Sequence, residues 1–305
     1  MIHIKPPSQP PAYTEAFPTP PARLHVPPAP SNLPTVRSIS PDRPFVWLVL
    51  AWRDMARAGW ISFAHGLVLA LLGAAIAAVA HNRFWLLSGA LSGFLVVAPV
   101  LATSLYALSR ALERGEQADY RVVLKTWLNW QGNHFNKWGN DYWCLVQFGT
   151  LLALAATGWV LTSAALITLL APVPIQTPLD FVHHVVLARE GWLFELWLAL
   201  GGLMAAPMFA SSVVAMPLLL DRRVTLLQAV LTSWQTVLAN PVTMAVWSAL
   251  IMGFTLLGLG SLLLGLIAVI PMLGHASWHA YRDLVDVSGV PARESAAAAG
   301  ETGGR

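Results

Sequence analysis

Residues 93–104 read Gly-Phe-Leu-Val-Val-Ala-Pro-Val-Leu-Ala-Thr-Ser, and residues 201–212 read Gly-Gly-Leu-Met-Ala-Ala-Pro-Met-Phe-Ala-Ser-Ser. Each stretch belongs to a long apolar segment that contains one central proline and is followed by an amphipathic segment. An apolar segment of this length is typical of a helix that crosses a lipid bilayer. The two stretches therefore predict a membrane protein in which a kinked-helix unit occurs twice.

The composition of the whole chain supports a membrane protein. Of its 305 residues, 56% are hydrophobic and only 11% are charged, and the mean hydropathy is +0.60. A soluble domain of this size needs more charge on its surface. The apolar runs are continuous, whereas a lipid-facing β-barrel alternates polar and apolar residues. We therefore predict an all-α fold, a polytopic transmembrane helical bundle.

Five apolar blocks are long enough to cross the bilayer, because about 20 helical residues span the ~30 Å hydrocarbon layer. The blocks are 61–80, 84–108, 142–171, 192–220 and 242–273. They predict about five spans within an integral membrane domain of residues 45–285, with four or six spans as the alternatives.

The two ends of the chain have a different character. Residues 1–44 contain thirteen of the 22 prolines and no sustained apolar run, so we predict a disordered Pro-rich N-terminal arm. Residues 286–305 are rich in Ala, Gly and charged residues and are predicted to form a flexible C-terminal tail.

Three polar segments outside the blocks have the pattern of interfacial amphipathic helices. Residues 45–60 combine three tryptophans with Arg and Asp, and residues 109–141 and 221–241 carry apolar residues at helical spacing. In the last segment, Thr225 and Gln228 have the spacing of a capping box. Helices of this kind lie along the membrane surface at the level of the lipid headgroups.

The distribution of basic residues predicts the orientation of the chain. The arm and the three polar segments contain thirteen Lys and Arg, whereas the loops after the first and third blocks contain only Arg83 and Arg189. The positive-inside rule then places the N-terminus in the cytoplasm. Five spans would leave the C-terminal tail on the opposite side, and a sixth crossing or a re-entrant fifth block would return it.

The two opening stretches align as an internal repeat, with seven identities over fifteen positions from Gly93 and Gly201 onward. Both units run the same way through the membrane, so the predicted repeat is parallel. Paired proline kinks can flank a binding pocket at the membrane midplane, or they can simply shape a packed bundle. The residues of this candidate solute site or hinge are Pro99, Thr103, Ser104, Pro207, Ser211 and Ser212.

Histidines suggest a second candidate site near the C-terminus. His275 and His279 are four residues apart and would share one helical face, as two metal or haem ligands could. His65 and the pair His183 and His184 could add further ligands. The alternative is an ordinary interfacial belt, because tryptophan, tyrosine and arginine accompany the pair at 278–282.

Several classes of function find no support in the sequence. We find no phosphate-binding loop, no Gly-x-Ser-x-Gly elbow, no His-Glu-x-x-His motif and no charged residue at mid-depth in any block. The single cysteine, Cys144, excludes an intrachain disulfide. The formal charge of +3 is spread over the membrane flanks, which indicates lipid headgroups and not nucleic acid as the partner. We predict no cofactor, with haem or a metal ion as the alternative.

Parts of the chain resemble a family of bacterial integral membrane proteins known as a domain of unknown function. The matching parts are residues 93–110, 216–222, 240–247 and above all 271–282, with its Gly-His-x-x-Trp-His-x-Tyr-Arg signature. The resemblance covers residues 36–285 and implies a location in the bacterial inner membrane. Some members carry a cytochrome c oxidase subunit label, but a haem-copper core needs several histidines at mid-membrane depth, and here only His65 lies well inside a block.

These observations lead to three hypotheses for function. The first is a non-enzymatic scaffold, assembly or envelope-associated protein that contacts the lipid bilayer and other membrane proteins or copies of itself. The second is a transporter or channel for a small or lipidic solute, with its site between Pro99 and Pro207. The third is a redox protein that binds haem or a metal ion through His275 and His279.

Overall fold

A computed structural model describes residues 33–80, 102–132, 143–188 and 191–293 of the chain. The first part contains β1 (Thr35–Val36), α1 (Arg43–Ala58), α2 (Trp60–Ala80), α3 (Thr103–Glu113), α4 (Tyr120–Gly132) and α5 (Trp143–Leu170). The second part contains α6 (Pro178–Phe181), which continues into a π-helical turn (Val182–Val186), then α7 (Leu193–Ser212), α8 (Ala215–Asp221), α9 (Leu226–Ala239), α10 (Pro241–Gly260), α11 (Leu266–Leu284) and β2 (Val285–Asp286).

Four helical segments of the described residues are long and apolar enough to cross a membrane. They are Trp60–Val79, Cys144–Leu170, Leu193–Asp221 and Pro241–Gly260. Three of them coincide with the predicted blocks 61–80, 142–171 and 192–220, while most of the block 84–108 lies outside the described residues. The prediction of a helical transmembrane bundle is confirmed.

The predicted block 242–273 is not one helix, because the chain reverses between α10 and α11. Two residues of the reversal have left-handed backbone conformations, Leu262 with φ 54° and Leu263 with φ 70°. The Ser261 hydroxyl accepts a hydrogen bond from the Gly265 N–H at 2.8 Å and closes the turn. Hydropathy does not reveal this reversal, since its residues are all small or apolar.

Both ends of the α10–α11 hairpin lie beside the residues that precede α1. Asn240, just before α10, accepts a hydrogen bond from the Ile39 N–H at 2.9 Å and donates one to the Arg37 carbonyl at 2.9 Å. After α11, β2 pairs antiparallel with β1. The residues before α1, before α10 and after α11 therefore lie together.

Part of each predicted tail is folded. Residues 286–293, predicted to be flexible, pack on the bundle: Val287 and Val290 are buried, and Ala292 forms a β-bridge with Arg222. Their apolar side chains cover the bundle end near α8, which explains why the segment folds back. At the other end, residues 33–42 are described and α1 begins at Arg43. Residues 1–32 and 294–305 lie outside the described part of the chain.

Three helices outside the spans are amphipathic, as the sequence predicts. Each presents an apolar stripe at positions i, i+4 and i+7 that ends in an exposed tryptophan. The stripes are Phe45, Val49 and Trp52 on α1, Tyr120, Leu124 and Trp127 on α4, and Leu227, Leu231 and Trp234 on α9. The capping box of α9 is present, with Thr225 and Gln228 bonded reciprocally. Outward apolar stripes of this kind suit a helix that lies at the lipid interface.

The centre of the described fold is α11, which packs against α1, α2, α3 and α10. Its buried residues Trp278, Tyr281 and Leu284 belong to the largest hydrophobic cluster, together with Trp47 of α1 and Trp247 of α10. The rings of Trp47 and Trp247 meet edge to face with centroids 5.4 Å apart. The polar residues of α11 are therefore held in a rigid frame.

Gly66 permits the close approach of α2 to α11, because a Cβ at this position would overlap the backbone carbonyl of Ile267. We expect Gly66→Ala to lower the free energy of unfolding by about 1–3 kcal/mol or more, since backbone cannot yield as a flexible side chain does. Gly253→Ala is the matched control, because a Cβ there meets no atom within 4 Å. Thermal unfolding in detergent measures both variants, and equal effects would contradict this account of the contact.

Candidate functional site

The candidate site is built on the second half of α11, where residues 275–282 read His-Ala-Ser-Trp-His-Ala-Tyr-Arg. His275, Trp278, His279 and Arg282 follow the i, i+3, i+4, i+7 spacing that places side chains on one helical face. In the structure each of them, and Tyr281 as well, contacts a polar partner on another helix. The signature therefore joins α11 to its neighbours.

His275 is completely buried and lies between two serine hydroxyls. Its Nε2 is 2.9 Å from the Ser62 Oγ on α2, and its Nδ1 is 2.7 Å from the Ser109 Oγ on α3. The Ser109 hydroxyl also reaches the Asp54 Oδ2 on α1 at 2.6 Å, and the His279 Nε2 is 2.8 Å from the same oxygen. One continuous hydrogen-bonded cluster thus connects four helices.

The direction of these hydrogen bonds follows from the donors and acceptors available. An ionised carboxylate only accepts, so Asp54 receives hydrogen bonds from both Ser109 and His279. Because the Ser109 proton points to Asp54, its oxygen accepts from the Nδ1–H of His275. The Nε2 of His275 is then an acceptor, and Ser62 donates to it. Hydrogen bonds within the cluster thus link Ser62, His275 and Ser109 to Asp54.

The cluster fixes the charge states of its two central groups. Burial alone would raise the pKa of Asp54, but hydrogen bonds from His279 and Ser109 and the nearby histidines together hold that pKa below its ordinary value. Burial lowers the pKa of His275 to about 4, against the opposing attraction of Asp54. At neutral pH the cluster therefore contains a neutral His275 and an anionic Asp54.

Two further carboxylates, Glu113 and Asp283, also connect α11 to its neighbours. Glu113, the last residue of α3, accepts hydrogen bonds from the Trp278 Nε1–H at 2.9 Å and from the Arg282 Nε–H at 2.9 Å. Asp283 accepts from the Arg43 Nε–H at 2.6 Å and from the Trp47 Nε1–H at 2.8 Å on α1. Each carboxylate thus bridges one tryptophan and one arginine, which ties α11 to α3 and to α1.

Asp221, buried at the end of α8, is the acceptor for Tyr281. The Tyr281 hydroxyl donates to its Oδ2 at 2.9 Å, and the Arg222 Nε–H donates to the same oxygen at 2.9 Å. Arg110 of α3 and Arg114, which follows that helix, lie within 4.0 Å of the other carboxylate oxygen. The arginines compensate the buried negative charge, as a carboxylate removed from water requires.

The predicted metal or haem ligands His275 and His279 are thus hydrogen-bonded to serine and aspartate side chains. In the part of the chain that the structure describes, no group of three or more His, Cys, Asp or Glu residues is arranged to hold a metal ion. His65 contacts the Ile61 carbonyl at 2.8 Å, and His183 and His184 are exposed in the π-helical turn. Metal or haem binding at His275 and His279 stays a prediction.

The predicted solute site is described only in part, because Pro99 lies outside the described residues. Thr103 and Ser104 at the start of α3 are completely buried. Within the part of the chain that the structure describes, the Ser104 Oγ has no hydrogen-bond partner, whereas Ser109 on the same helix has two. A buried hydroxyl without a partner is unusual and costs free energy.

The other half of the predicted solute site lies on α7. Pro207 is inside that helix. The Ser211 Oγ accepts a hydrogen bond from the Trp234 Nε1–H at 3.0 Å, and the Ser212 hydroxyl donates to the Met208 carbonyl at 2.8 Å. These two serines are therefore engaged by neighbouring residues, and a solute role for them stays a prediction. The parallel repeat also stays a prediction, since half of its first unit lies outside the described residues.

Sequence reasoning missed the partners of the α11 signature, namely Asp54, Ser62, Ser109, Glu113 and Asp221. For Asp54 a signal exists, because it falls on the same helical face as the apolar residues Trp47, Ala51 and Ala58 of α1. A carboxylate on an apolar face predicts a buried partner. The two serines carry no such signal, since serine is common at helix interfaces in membranes.

Comparison with known proteins supports the membrane assignment. Residues 86–221 match a family described as "Predicted integral membrane protein (DUF2189)". The match includes Ser109 and Asp221 and confirms the resemblance at residues 93–110 and 216–221, while the α11 signature lies beyond it. No curated protein and no solved structure matches the chain. The chain is an integral membrane protein.

Ser109 and Ser104 of α3 form a matched pair for testing the cluster. Ser109→Ala removes the hydrogen bond to Asp54 and leaves the buried Nδ1–H of His275 without an acceptor, so we expect a loss of at least about 2 kcal/mol. Ser104→Ala removes a buried hydroxyl that has no partner among the described residues, so we expect unchanged or higher stability by up to about 2 kcal/mol. Unfolding midpoints in detergent compare the two, and a destabilising Ser104→Ala would contradict the packing described for α3.

The buried, neutral His275 predicts a specific pH dependence. Below its ordinary pKa of about 6.5 the unfolded chain takes up a proton at this residue, while the native chain does so only near pH 4. The free energy of unfolding should therefore fall by up to about 1.4 kcal/mol per pH unit as the pH is lowered through this window. His275→Gln should show a shallower slope, and His183→Gln, at an exposed histidine, should keep the original slope. Equal slopes in all three proteins would refute the assignment.

Proposed function

We propose that this integral membrane protein is a non-enzymatic scaffold or assembly factor, in which α11 fixes the interfacial helix α1 to α2 and α3. The observation that carries the proposal is the pairing of the signature's polar side chains with partners inside the chain. A site that binds a substrate or solute keeps donors and acceptors turned toward a cavity. In this protein the cluster uses them to join α1, α2 and α3 to α11.

The attachment of the N-terminal arm supports the same role. Arg37 forms an ion pair with Asp286 at 3.1 Å, and both Arg37 and Ile39 are hydrogen-bonded to Asn240. Residues 37 and 39 are therefore fixed to the bundle, and the Pro-rich sequence before them would act as a tether for partners. We place this part of the chain in the cytoplasm of a bacterium, at the inner membrane, on the strength of the thirteen basic residues in the arm and the three polar segments.

The proposed partners are other membrane proteins or further copies of this chain. Membrane-spanning segments such as Cys144–Leu170 and Pro241–Gly260 bury only 17% and 22% of their apolar windows inside the described fold. Their remaining surface contacts lipid and would also accommodate a neighbouring helix, since small residues such as Gly253 allow close packing.

One observation favours the second candidate function, a carrier for a small or lipidic solute. Ser104, a predicted solute residue, is buried, and its hydroxyl has no partner among the described residues. A solute with a hydrogen-bonding group would satisfy it. In that case Ser104→Ala would abolish uptake by reconstituted protein, whereas a scaffold would tolerate the substitution.

The scaffold proposal is tested by affinity purification of the full chain from its native membrane in mild detergent. We expect a reproducible set of membrane proteins in near-stoichiometric amounts. Asp54→Asn, which weakens the lock on α1, should lose that set, while Arg121→Gln, at an exposed residue of α4, should retain it. Recovery of no protein above the level seen with an unrelated membrane protein would contradict the proposal, as would turnover of a lipid or solute by the purified chain.

A further inference from the structure

Helix α1 has two faces with different chemistry. Its inner face, with Trp47, Ala51 and Asp54, is buried against the bundle. Its outer face carries Trp52, which is 61% exposed, and the exposed side chains of Arg53 and Arg57. The outer face is therefore both aromatic and basic, a combination that a surface of lipid headgroups would accommodate.

Arg53 and Arg57 differ from the arginines that face protein. Arg37, Arg43 and Arg282 each pair with a carboxylate. No hydrogen bond or ion pair within the described residues engages Arg53 or Arg57, which lie one helical turn apart on α1. Asp54, between them in sequence, does not neutralise them, because its carboxylate points inward to Ser109 and His279.

The depth of the two arginines follows from the chain that comes after them. α1 ends at Ala58, Gly59 turns the chain with φ 64°, and the membrane-spanning segment begins at Trp60. Trp60 is 71% exposed, and tryptophan concentrates at the boundary between headgroups and acyl chains. Arg57 is three residues before this boundary, and Arg53 is one turn further away, so both lie at headgroup level.

We propose that Arg53 and Arg57 form a binding site for the phosphate of an anionic phospholipid headgroup, flanked by Trp52 and Trp60. Guanidinium groups donate paired hydrogen bonds that match phosphate oxygens, and their charge complements an anionic leaflet. Because the Asp54 carboxylate is hydrogen-bonded on the inner face of α1, it does not neutralise the positive charge of the two arginines. This inference concerns a lipid partner and does not depend on the scaffold role.

The site is tested with the full chain by native mass spectrometry in mixed micelles of phosphatidylglycerol and phosphatidylcholine. We expect the first bound phosphatidylglycerol to be held preferentially, and the double variant Arg53→Gln/Arg57→Gln to weaken its binding about tenfold, while phosphatidylcholine binding is unchanged. Raising the ionic strength should weaken the preference of the unmodified chain, because exposed charges are screened.

A matched control is available on α4, where Arg121→Gln/Lys125→Gln removes two exposed basic side chains at the same i, i+4 spacing, of which Arg121 is already paired with Asp119 at 3.9 Å. This variant should keep the preference for phosphatidylglycerol. An equal loss in both double variants would show attraction by total charge alone and would overturn the site. Displacement of the lipid by millimolar inorganic phosphate would also overturn it, since the site would then take free phosphate.

Stability provides the remaining check. Arg53 and Arg57 are exposed, so the double variant should unfold at the same temperature as the unmodified chain. If it does not fold, the milder Arg53→Lys/Arg57→Lys variant keeps the charge and loses only the paired hydrogen bonds. That variant should bind phosphatidylglycerol with intermediate affinity, and unchanged affinity would overturn the assignment of guanidinium contacts to phosphate.

Discussion

The described fold depends on one neutral imidazole held between two serine hydroxyls. His275 contacts Ser62 on α2 and Ser109 on α3, and through Ser109 it reaches Asp54 on α1. In a low-dielectric interior each of these hydrogen bonds is stronger than in water, and each unpaired group is more costly. The cluster therefore specifies one arrangement of four helices. Apolar packing between aliphatic helices alone specifies a single arrangement less strongly.

The same cluster gives α1 its two-sided character. A short helix at a membrane surface can rotate about its axis unless something fixes its inner face. Asp54, together with the contacts from Arg43 and Trp47 to Asp283, fixes that face over three turns. As a result, Trp52 and the basic residues beside it always face outward. A buried polar network thus determines which chemical groups the protein presents at the headgroup layer.

Most of the architecture could be predicted from the sequence, because continuous apolar runs report directly on the surrounding lipid. Blocks 61–80, 142–171 and 192–220 coincide with helices, and the amphipathic segments and the capping box at Thr225 are present. Hydropathy does not reveal a reversal of the chain when the residues on both sides of it are apolar, as at the turn after α10. It also fails for residues 286–293, whose order comes from contacts with distant residues.

Only the α11 residues of the candidate site could be predicted from the sequence. His275 and His279 stand out as a spaced pair in an apolar context, but a spacing rule does not distinguish ligands of a metal from partners of serine and aspartate. The distinction rests on Asp54, Ser62 and Ser109, which are distant in sequence. Asp54 and Ser62 are 213 or more residues from their histidine partners, and Ser109 is 166 residues from His275. Only the folded chain brings these residues together.

The pairing of β1 with β2 has a consequence for how the protein is made. Thr35 emerges from the ribosome early, yet its partner Asp286 follows only after all the described helices have been synthesised. During translation β1 must therefore remain without its partner until β2 has been made. Pairing of β1 with β2 is therefore a late event in biogenesis. It joins the beginning and the end of the described chain only after the described helices between them have been made.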